Sequence, residues 1–401
     1  MTKSAVFRLI FVVLLCLGLA AAGGYIWLRN SPYWAGITLF AEDYRVENFR
    51  NMDAVFPYEP VARKGDVWDL PRNERRLTET YPFNGERQSL PAFLERSQTT
   101  GLLVLHNAQI VHEAYYLGAD ENARFASWSV AKSVLSALVG IAVGDGLIED
   151  IEAPIETFAP ELEGTAYGAV PLIDVLTMSS GIGFDEDYDS LMSDVNQLFI
   201  GFATGTTLVE TLADQEAIRT PGIYNEYISS DSIALGLALE GATGTTIDAF
   251  LEERLWGPMG AEADAYWNTG RNGEVLPLCC LNATLRDYGR FGQLYLQGGA
   301  RDGVQIIPAE WINDTITPEG PHLQPGENPH SFWTFGYGYH WWIPENPQGD
   351  YLAIGIWGQY IYIHPRHQIV IVKTSADPDF DLHDHETVEV FRAIAESLSS
   401  G

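Results

Sequence analysis

Apolar side chains dominate two long segments of the chain. Residues 130–143 are apolar on nearly every helical face, interrupted only by small or hydroxyl residues and by Lys132, a pattern typical of a helix buried inside a large domain. Gly144 and Gly146 predict the end of that helix. Residues 9–28 carry no charged side chain. A helix of this length measures about 30 Å, which is enough to span a bilayer.

Strand-like patterns stand at both ends of the main domain. Residues 102–106 and 109–116 flank a short polar turn, and residues 351–363 and 369–372 flank another, as in β-hairpins. Between them, residues 151–270 alternate helical segments with glycine and proline breaks. The sequence therefore predicts an α+β fold in which the terminal segments meet in one antiparallel sheet, flanked by helices and interrupted by an inserted helical region.

Two amphipathic helices are predicted later in the chain. Residues 284–296 form the first, and its charged side chains Arg286, Asp287 and Arg290 are expected to make structural ion pairs. Residues 386–398 form the second, after a turn that is rich in histidine and aspartate. These helices are expected to cover the sheet.

The N-terminal segment has two interpretations. Small residues at 20–23 resemble the cleavage site of a signal peptide, but the apolar run continues through residues 25–28 and is longer than a usual signal sequence. An uncleaved signal anchor is therefore favoured. In both cases Lys3 and Arg8 keep the N-terminal end in the cytoplasm. The rest is then exported, and with an uncleaved anchor it is held in the inner membrane with the main domain in the periplasm or outside the cell.

We divide the chain into three parts on these patterns. Residues 1–30 are the signal anchor or signal peptide, and residues 31–95 are an N-terminal extension that packs along the main domain and carries no evident chemistry. Residues 96–401 are the main domain.

Composition narrows the range of partners. The chain has 401 residues, of which 46% are hydrophobic, so a large core is expected and general disorder is excluded. Its formal net charge is -31, and a field this negative repels phosphate. Nucleic acid and anionic membrane surfaces are therefore not expected partners, and the only expected membrane contact is the N-terminal segment.

Three cysteines are present. Cys16 lies in the N-terminal apolar run, and Cys279 and Cys280 are adjacent. Adjacent cysteines rarely bond to each other, so this pair is expected to act as small buried apolar residues near the site, with a disulfide between them or a free thiol as the alternatives.

The buried helix begins beside a possible nucleophile. Ser129 precedes Lys132 by three residues, which places both side chains on one helical face. A serine hydroxyl is a weak nucleophile that needs a base, and burial lowers the pKa of a lysine so that the neutral amine is available. A chance occurrence of this spacing remains the alternative, since single motifs often match by accident.

Two other segments carry candidate site residues. The loop at 184–189 is acidic and aromatic and includes Tyr188; it is either a solvated loop or a rim over a substrate pocket. Tyr227 and Ser229 lie between the turn at 221–222 and a second apolar helix. Tyr227 is either a core tyrosine or a functional phenol, and Ser229 is either functional or a helix cap.

Three motifs in this order resemble those of a known superfamily. They are Ser129-Val130-Ala131-Lys132, Tyr227-Ile228-Ser229 and Gly355-Ile356-Trp357-Gly358-Gln359. From residue 101 to the C-terminus the chain is similar to the serine β-lactamases and penicillin-binding proteins. Within that superfamily it resembles the class C-like branch of esterases and 6-aminohexanoate-dimer hydrolases.

The resemblance implies roles for the matching positions. Ser129 is then the acylated nucleophile, Lys132 its proton partner and Tyr227 a second base that relays protons. Ser229 takes the third position of the tyrosine motif, and the backbone N–H groups of Ser129 and Ile356 form the oxyanion hole, next to Gly355. The implied reaction is hydrolysis of an ester or amide through an acyl-enzyme, without metal or organic cofactor.

One difference from the motifs of true β-lactamases restricts the class of substrate. Ala353-Ile354-Gly355 occupies the place of the Lys-Thr-Gly motif of true β-lactamases, so the cation that holds a β-lactam or peptide carboxylate is missing, and Trp357 narrows the pocket beside it. This favours a small ester or amide substrate. A DD-peptidase or β-lactamase, or a catalytically inactive binding protein of the same fold, remains an alternative, and the sequence leaves the oligomeric state open.

The segment 383–385 is the last candidate. His383, Asp384 and His385 lie near further aspartates, but four positioned ligands are not visible, so a solvated turn is favoured over a metal site. The corresponding turn approaches the pocket in the relatives, so His385 is a candidate for substrate contact.

Overall fold

A seven-stranded antiparallel sheet forms the centre of the protein in the computed structural model, which describes residues 3–31 and 33–399. The strands are β1 (Tyr58–Val61), β2 (Thr80–Phe83), β3 (Glu86–Ser89), β4 (Thr99–His106), β5 (Gln109–Tyr115), β6 (Phe125–Ala126), β7 (Ala265–Asn268), β8 (Leu281–Ala283), β9 (Ala300–Arg301), β10 (Val304–Gln305), β11 (Gly336–Tyr337), β12 (Trp342–Ile343), β13 (Tyr351–Gly355), β14 (Gln359–His364) and β15 (Ile369–Ser375). The central sheet has the order β11-β12-β13-β14-β15-β4-β5. Because β15 pairs with β4, the predicted meeting of the two ends of the domain is confirmed.

The helices lie mainly around this sheet and in the inserted region. They are α1 (Lys3–Arg29), α2 (Trp34–Ile37), α3 (Arg45–Asn48), α4 (Leu90–Arg96), α5 (Val130–Gly144), α6 (Leu172–Leu176), α7 (Asp194–Thr204), α8 (Leu208–Ala213), α9 (Ser229–Thr243), α10 (Ile247–Leu251), α11 (Gly257–Met259), α12 (Leu285–Leu296), α13 (Ala309–Ile316) and α14 (Phe380–Ser399). The predicted α+β class with an inserted helical region is confirmed.

Both faces of the sheet are covered, which explains why its strands are apolar throughout. Along β4, Leu103 and Leu105 belong to the core that includes α12, whereas Leu102 and Val104 face the core that includes α14. This alternation follows from the two-residue period of a strand. At Gly289 of α12 an added Cβ would lie 2.5 Å from Leu103, so the glycine permits close packing of helix on sheet.

The predicted ion pairs of α12 are confirmed. Arg286 pairs with Glu113 on β5, and Arg290 pairs with both Asp287 and Glu262. These contacts fasten the helix to the edge of the sheet and to the loop that precedes β7.

A smaller sheet leads the chain towards the buried helix. It has the order β1-β7-β8-β6, and β6 ends three residues before α5. Every residue of α5 from 130 to 142 is buried, as the apolar pattern predicts. The extension at 31–95 contributes β1 to this sheet and Leu39, Phe49 and Met52 to the main core.

Two predictions on local structure are wrong. The last helix begins at Phe380 rather than at residue 386, so the segment 383–385 lies in its first turns. There His383 bonds to Asp377 through Nδ1, with 2.7 Å to Oδ2. The adjacent cysteines are buried as expected, but they form a disulfide with each other.

The N-terminal apolar run is one helix, α1. From Ser4 to Arg29 it is long and apolar enough to cross a membrane, and none of its most apolar window is buried against the protein. A signal sequence meets the same description, so cleavage at residues 20–23 stays open.

Candidate active site

Ser129 stands at the junction between a strand and the buried helix. The chain leaves β6 with Ser127 N–H donating to Leu281 O at 2.8 Å, and Trp128 then turns it with a positive φ of 44°. A bulky residue in this left-handed conformation is strained, and such strain is typical of functional sites. Ser129 is therefore held at the N-terminus of α5, where free N–H groups and the helix dipole favour negative charge.

Lys132 lies within hydrogen-bonding distance of Ser129. Its Nζ donates to Ser129 Oγ at 3.0 Å, to Ser229 Oγ at 3.3 Å and to the carbonyl of Leu278 at 3.1 Å. The side chain is buried, and burial lowers the pKa of Lys132 to about 8, although the negative charge of Glu186 opposes this change. Roughly a tenth of the amine is thus neutral at pH 7, far more than for an ordinary lysine, and a base for Ser129 must be neutral.

Tyr227 joins the same cluster. Lys132 Nζ lies 4.7 Å from the centroid of its ring. Burial and then the charge of Glu186 raise the pKa of Tyr227, and a hydrogen bond with Ser129 only partly offsets them. The residue is therefore a neutral phenol at rest, which suits proton relay better than action as a preformed phenolate base.

Glu186 connects the loop at 184–189 to Ser229 at the start of α9. Its carboxylate accepts hydrogen bonds from Ser229 N at 2.8 Å, from Ser229 Oγ at 2.6 Å and from the Tyr188 hydroxyl at 2.5 Å. Burial and the neighbouring carboxylate raise the pKa of Tyr188 well above its usual value. The half-buried Glu186 and Tyr188 face the site, whereas Asp185, Asp187 and Asp189 are exposed. Glu186 and Tyr188 thus lie next to the cluster while the three aspartates are solvated, and the role of the loop as a rim over a substrate pocket stays a prediction.

The end of β13 lies against the backbone of Ser127 and Ser129. A Cβ added to Gly355 would be 2.6 Å from Ser127 O and 3.1 Å from Ser129 N. Only glycine permits this approach, which places the end of β13 against the Ser129 N–H. Gln359 fixes the turn that follows, because its Nε2 donates to the carbonyls of Ile356 and Trp357 at 3.4 and 3.0 Å.

The N-terminal extension contributes to the wall of the site, which its sequence did not indicate. The ring of Phe40 stacks on Trp357 at 5.5 Å and lies 5.7 Å from Trp128. Arg45 places its guanidinium 5.4 Å from the centroid of Trp357 and donates from Nε to Ala376 O at 3.1 Å. These contacts hold the half-buried Trp357 beside the proposed oxyanion position.

His385 lies apart from the cluster. Its ring contacts those of Phe335 and Trp333, at 4.8 and 5.9 Å, and it lines a cavity of about 350 Å³ whose lining includes none of Ser129, Lys132 and Tyr227. Its contact with substrate stays a prediction.

Two residues near the cluster were missed by the sequence analysis. Glu186 belongs to the acidic loop already singled out, but no pattern distinguished it from its acidic neighbours. His340 is buried beside α5, where Ser133 Oγ donates to its carbonyl at 2.6 Å. Burial and then the charge of Lys132 lower the pKa of His340 to about 3, so this imidazole adds no positive charge near the lysine.

The cluster combines the parts that acyl transfer needs. A hydroxyl, an amine with a lowered pKa and a phenol converge at the N-terminus of one helix, next to the end of β13. Such an arrangement can remove a proton from a nucleophile, stabilise an oxyanion and return the proton to a leaving group.

Known proteins share this architecture. A model of the beta-lactamase family matches residues 88–390. A 6-aminohexanoate-dimer hydrolase from Paenarthrobacter ureafaciens is 28% identical over 337 residues, which make up 82% of this chain and 81% of that protein.

Solved structures are also similar. A Bacillus anthracis protein named for a proposed 6-aminohexanoate-dimer hydrolase activity is 25% identical, and it superimposes with a TM-score of 0.82 over 90% of this chain and 96% of its own. A family VIII carboxylesterase superimposes with a TM-score of 0.59 at 16% identity, over 75% of this chain and 92% of its own. The second likeness concerns the fold alone.

Proposed function

The chain belongs to the beta-lactamase family, and from this premise we propose that it is a serine hydrolase that cleaves an ester or amide through an acyl-enzyme. The observation that carries the proposal is the 3.0 Å hydrogen bond between Lys132 Nζ and Ser129 Oγ in a buried cluster that also holds Tyr227. An amine with a lowered pKa next to a serine at a helix N-terminus has the geometry of an activated nucleophile.

The first step is attack by Ser129. Neutral Lys132 accepts the hydroxyl proton while Oγ bonds to the carbonyl carbon of the substrate, whose oxygen becomes an oxyanion. The N–H groups of Ser129 and Ile356 are the proposed donors to that oxygen. Preorganised donors of this kind lower a barrier by about 3 kcal/mol or more each.

The second step releases the leaving group. The proton taken by Lys132 passes through the Tyr227 hydroxyl to the oxygen or nitrogen that departs, and an ester with Ser129 remains. Water then attacks this acyl-enzyme, giving up a proton to the same pair of side chains. The oxyanion collapses, Ser129 regains its proton, and a carboxylic acid leaves.

Small esters or amides without a carboxylate anchor are the proposed substrates. Position 353 on β13, which is occupied by a lysine in true β-lactamases, is a fully buried alanine here. The Paenarthrobacter ureafaciens relative is named a 6-aminohexanoate-dimer hydrolase, and cleavage of an amide agrees with the proposed reaction. Penicillin or a cell-wall peptide, whose carboxylate lacks that lysine, fits it less well.

Labelling experiments test the proposal. The protein is treated with a fluorophosphonate and, separately, with a labelled penicillin, and the adduct is located by peptide mass. We expect the fluorophosphonate alone to label Ser129. Labelling by penicillin as well would favour the DD-peptidase or β-lactamase alternative, and labelling by neither would favour an inactive binding protein.

We also propose that α1 anchors the enzyme in the membrane after export. Lys3 and Arg8 precede its apolar centre, so the N-terminal end stays in the cytoplasm. Cell fractionation and N-terminal sequencing of the purified protein test this. A mature N-terminus near residue 23 in the soluble fraction would establish a cleaved signal peptide instead.

A further inference from the structure

A row of aromatic rings connects the proposed active site with the N-terminal extension. Phe40 stacks on Trp357 at 5.5 Å, Phe380 lies 5.9 Å from Trp357, and Tyr188 lies 6.4 Å from Phe380. Three separate segments therefore meet beside Trp357: the extension, the first turn of α14, and the loop that carries Glu186.

Each of these segments also carries large apolar side chains that point into solvent. Leu191 and Met192 follow Tyr188 by a few residues, and Leu382 follows Phe380 by two. We call the following exposed residues the apolar rim, with exposed fractions of 44% to 81%: Ile37, Phe40, Leu191, Met192 and Leu382. Single exposed apolar residues are ordinary, but a group on segments that meet at one place marks an interaction surface.

The chain itself indicates what covers this rim. Tyr25 near the end of α1 packs edge-on against Trp34 at 5.8 Å, and Trp34 packs against Tyr44 at the same distance. Trp27 and Tyr33 are exposed beside them. Tryptophan and tyrosine at the end of a spanning helix mark the level of the membrane surface, so that level lies a few residues before Ile37.

From these contacts we propose that the apolar rim lies in the surface of the bilayer that holds α1, and that the site takes ester or amide substrates from that membrane. The inference rests on the proposed serine hydrolase function. The substrate is then an amphiphile whose apolar chain stays among the lipids while its carbonyl reaches Ser129.

The charge of the segments that carry the apolar rim restricts the class of substrate further. Asp185, Asp187, Asp189 and Asp381 are exposed on the same segments as the rim, and Glu186 faces the site itself. Negative side chains repel anionic lipids. The substrate class is therefore a neutral, zwitterionic or cationic amphiphile, in a membrane surface with few anionic head groups.

Fluorescence quenching tests the position of the rim. The full-length protein with Cys16→Ser receives an environment-sensitive dye at Met192→Cys and is reconstituted in phosphatidylcholine vesicles with nitroxide-labelled lipid. Leu147→Cys is the matched control, because Leu147 is an exposed leucine beyond the far end of α5, about 22 Å from Ser129 along that helix. We expect quenching at 192 and none at 147. Equal, weak signals at both positions would overturn the proposal.

Chain-length preference tests the substrate class. Replacing Leu191, Met192 and Leu382 by serine is expected to lower the ratio of kcat/KM for a long-chain over a short-chain p-nitrophenyl ester in these vesicles by about tenfold, since apolar contact with the lipids is lost. Leu147→Ser is expected to leave the ratio unchanged. If Ser129 of the unsubstituted protein takes no fluorophosphonate, the hydrolase proposal fails; if it does but the ratio is unchanged in the triple variant, only the membrane inference fails.

Discussion

Replacing Glu186 by glutamine is expected to move the pH dependence of hydrolysis to lower pH. In the proposed mechanism Lys132 acts as a base only when neutral, so we expect the rate to rise as pH increases through the lysine pKa of about 8. The Glu186 charge raises that pKa and so works against the base. Its removal favours the neutral amine, and the midpoint of the rise must fall.

The distances set the size of this effect. Lys132 Nζ is 3.3 Å from Ser229 Oγ, which is 2.6 Å from Glu186 Oε1, so ammonium and carboxylate are within about 6 Å of each other. At an effective dielectric constant of about 20 this separation corresponds to roughly 3 kcal/mol. Because Glu186 is only half-buried, solvent screening reduces the effect to about 1–2 kcal/mol, or a shift of about one pH unit in the midpoint.

The assay is kcat/KM for a short-chain ester from about pH 6 to pH 9, which reports the ionisation of the free enzyme. Asp187→Asn is the matched control, because it removes one negative charge from the exposed part of the same loop. Its midpoint is expected to stay close to that of the unsubstituted protein. A midpoint in the Glu186→Gln variant that is unchanged, or that rises, would refute the proposed coupling between Glu186 and Lys132.

Three further substitutions test the site and the fold. Tyr227→Phe is expected to lower kcat for ester hydrolysis by about 10²- to 10⁴-fold, because the proton relay is lost; an unchanged kcat would exclude the relay. Serine at both Cys279 and Cys280 is expected to lower kcat/KM by up to about tenfold, since the disulfide follows the carbonyl of Leu278, which accepts a hydrogen bond from Lys132; full activity would show that the disulfide does not position Lys132. Arg392→Ala is expected to destabilise the fold by about 3 kcal/mol, because the buried carboxylate of Asp350 loses its cationic partner and keeps only the hydrogen bonds from Tyr362 and Gln348; urea denaturation measures this, and a loss below about 1 kcal/mol would contradict it.

The sequence predicted those parts of the site that depend on local spacing. Ser129 and Lys132 are one helical turn apart, so their contact follows once α5 is recognised as a buried helix. The resemblance supplied Tyr227, and the family and fold it implied are confirmed. The roles of the individual residues stay predictions.

The parts that were missed depend on contacts between distant segments. Glu186 reaches the helix that begins at Ser229 only because its loop folds back, and Phe40 reaches Trp357 across more than three hundred residues. No periodic pattern in the nearby sequence predicts either contact. The sequence did indicate the early start of α14, since Asp381 in its first turn complements the helix dipole. The residues there are mostly polar, however, and the apolar helical pattern used for the prediction begins later.

The position of Glu186 has a consequence for the product of the proposed reaction. Hydrolysis turns a neutral ester or amide into a carboxylic acid, which ionises next to Ser129. Position 353 holds a buried alanine instead of a cation, and the carboxylate of Glu186 is held in place by Ser229 and Tyr188. The Glu186 carboxylate repels the new negative charge and offsets part of its attraction to Lys132 and to the N-terminus of α5, so the same carboxylate that makes Lys132 a poorer base also promotes release of the acid. On this reasoning the Glu186→Gln variant binds the product acid more tightly than the unsubstituted protein does, and inhibition by added product distinguishes this effect from the change in pH dependence.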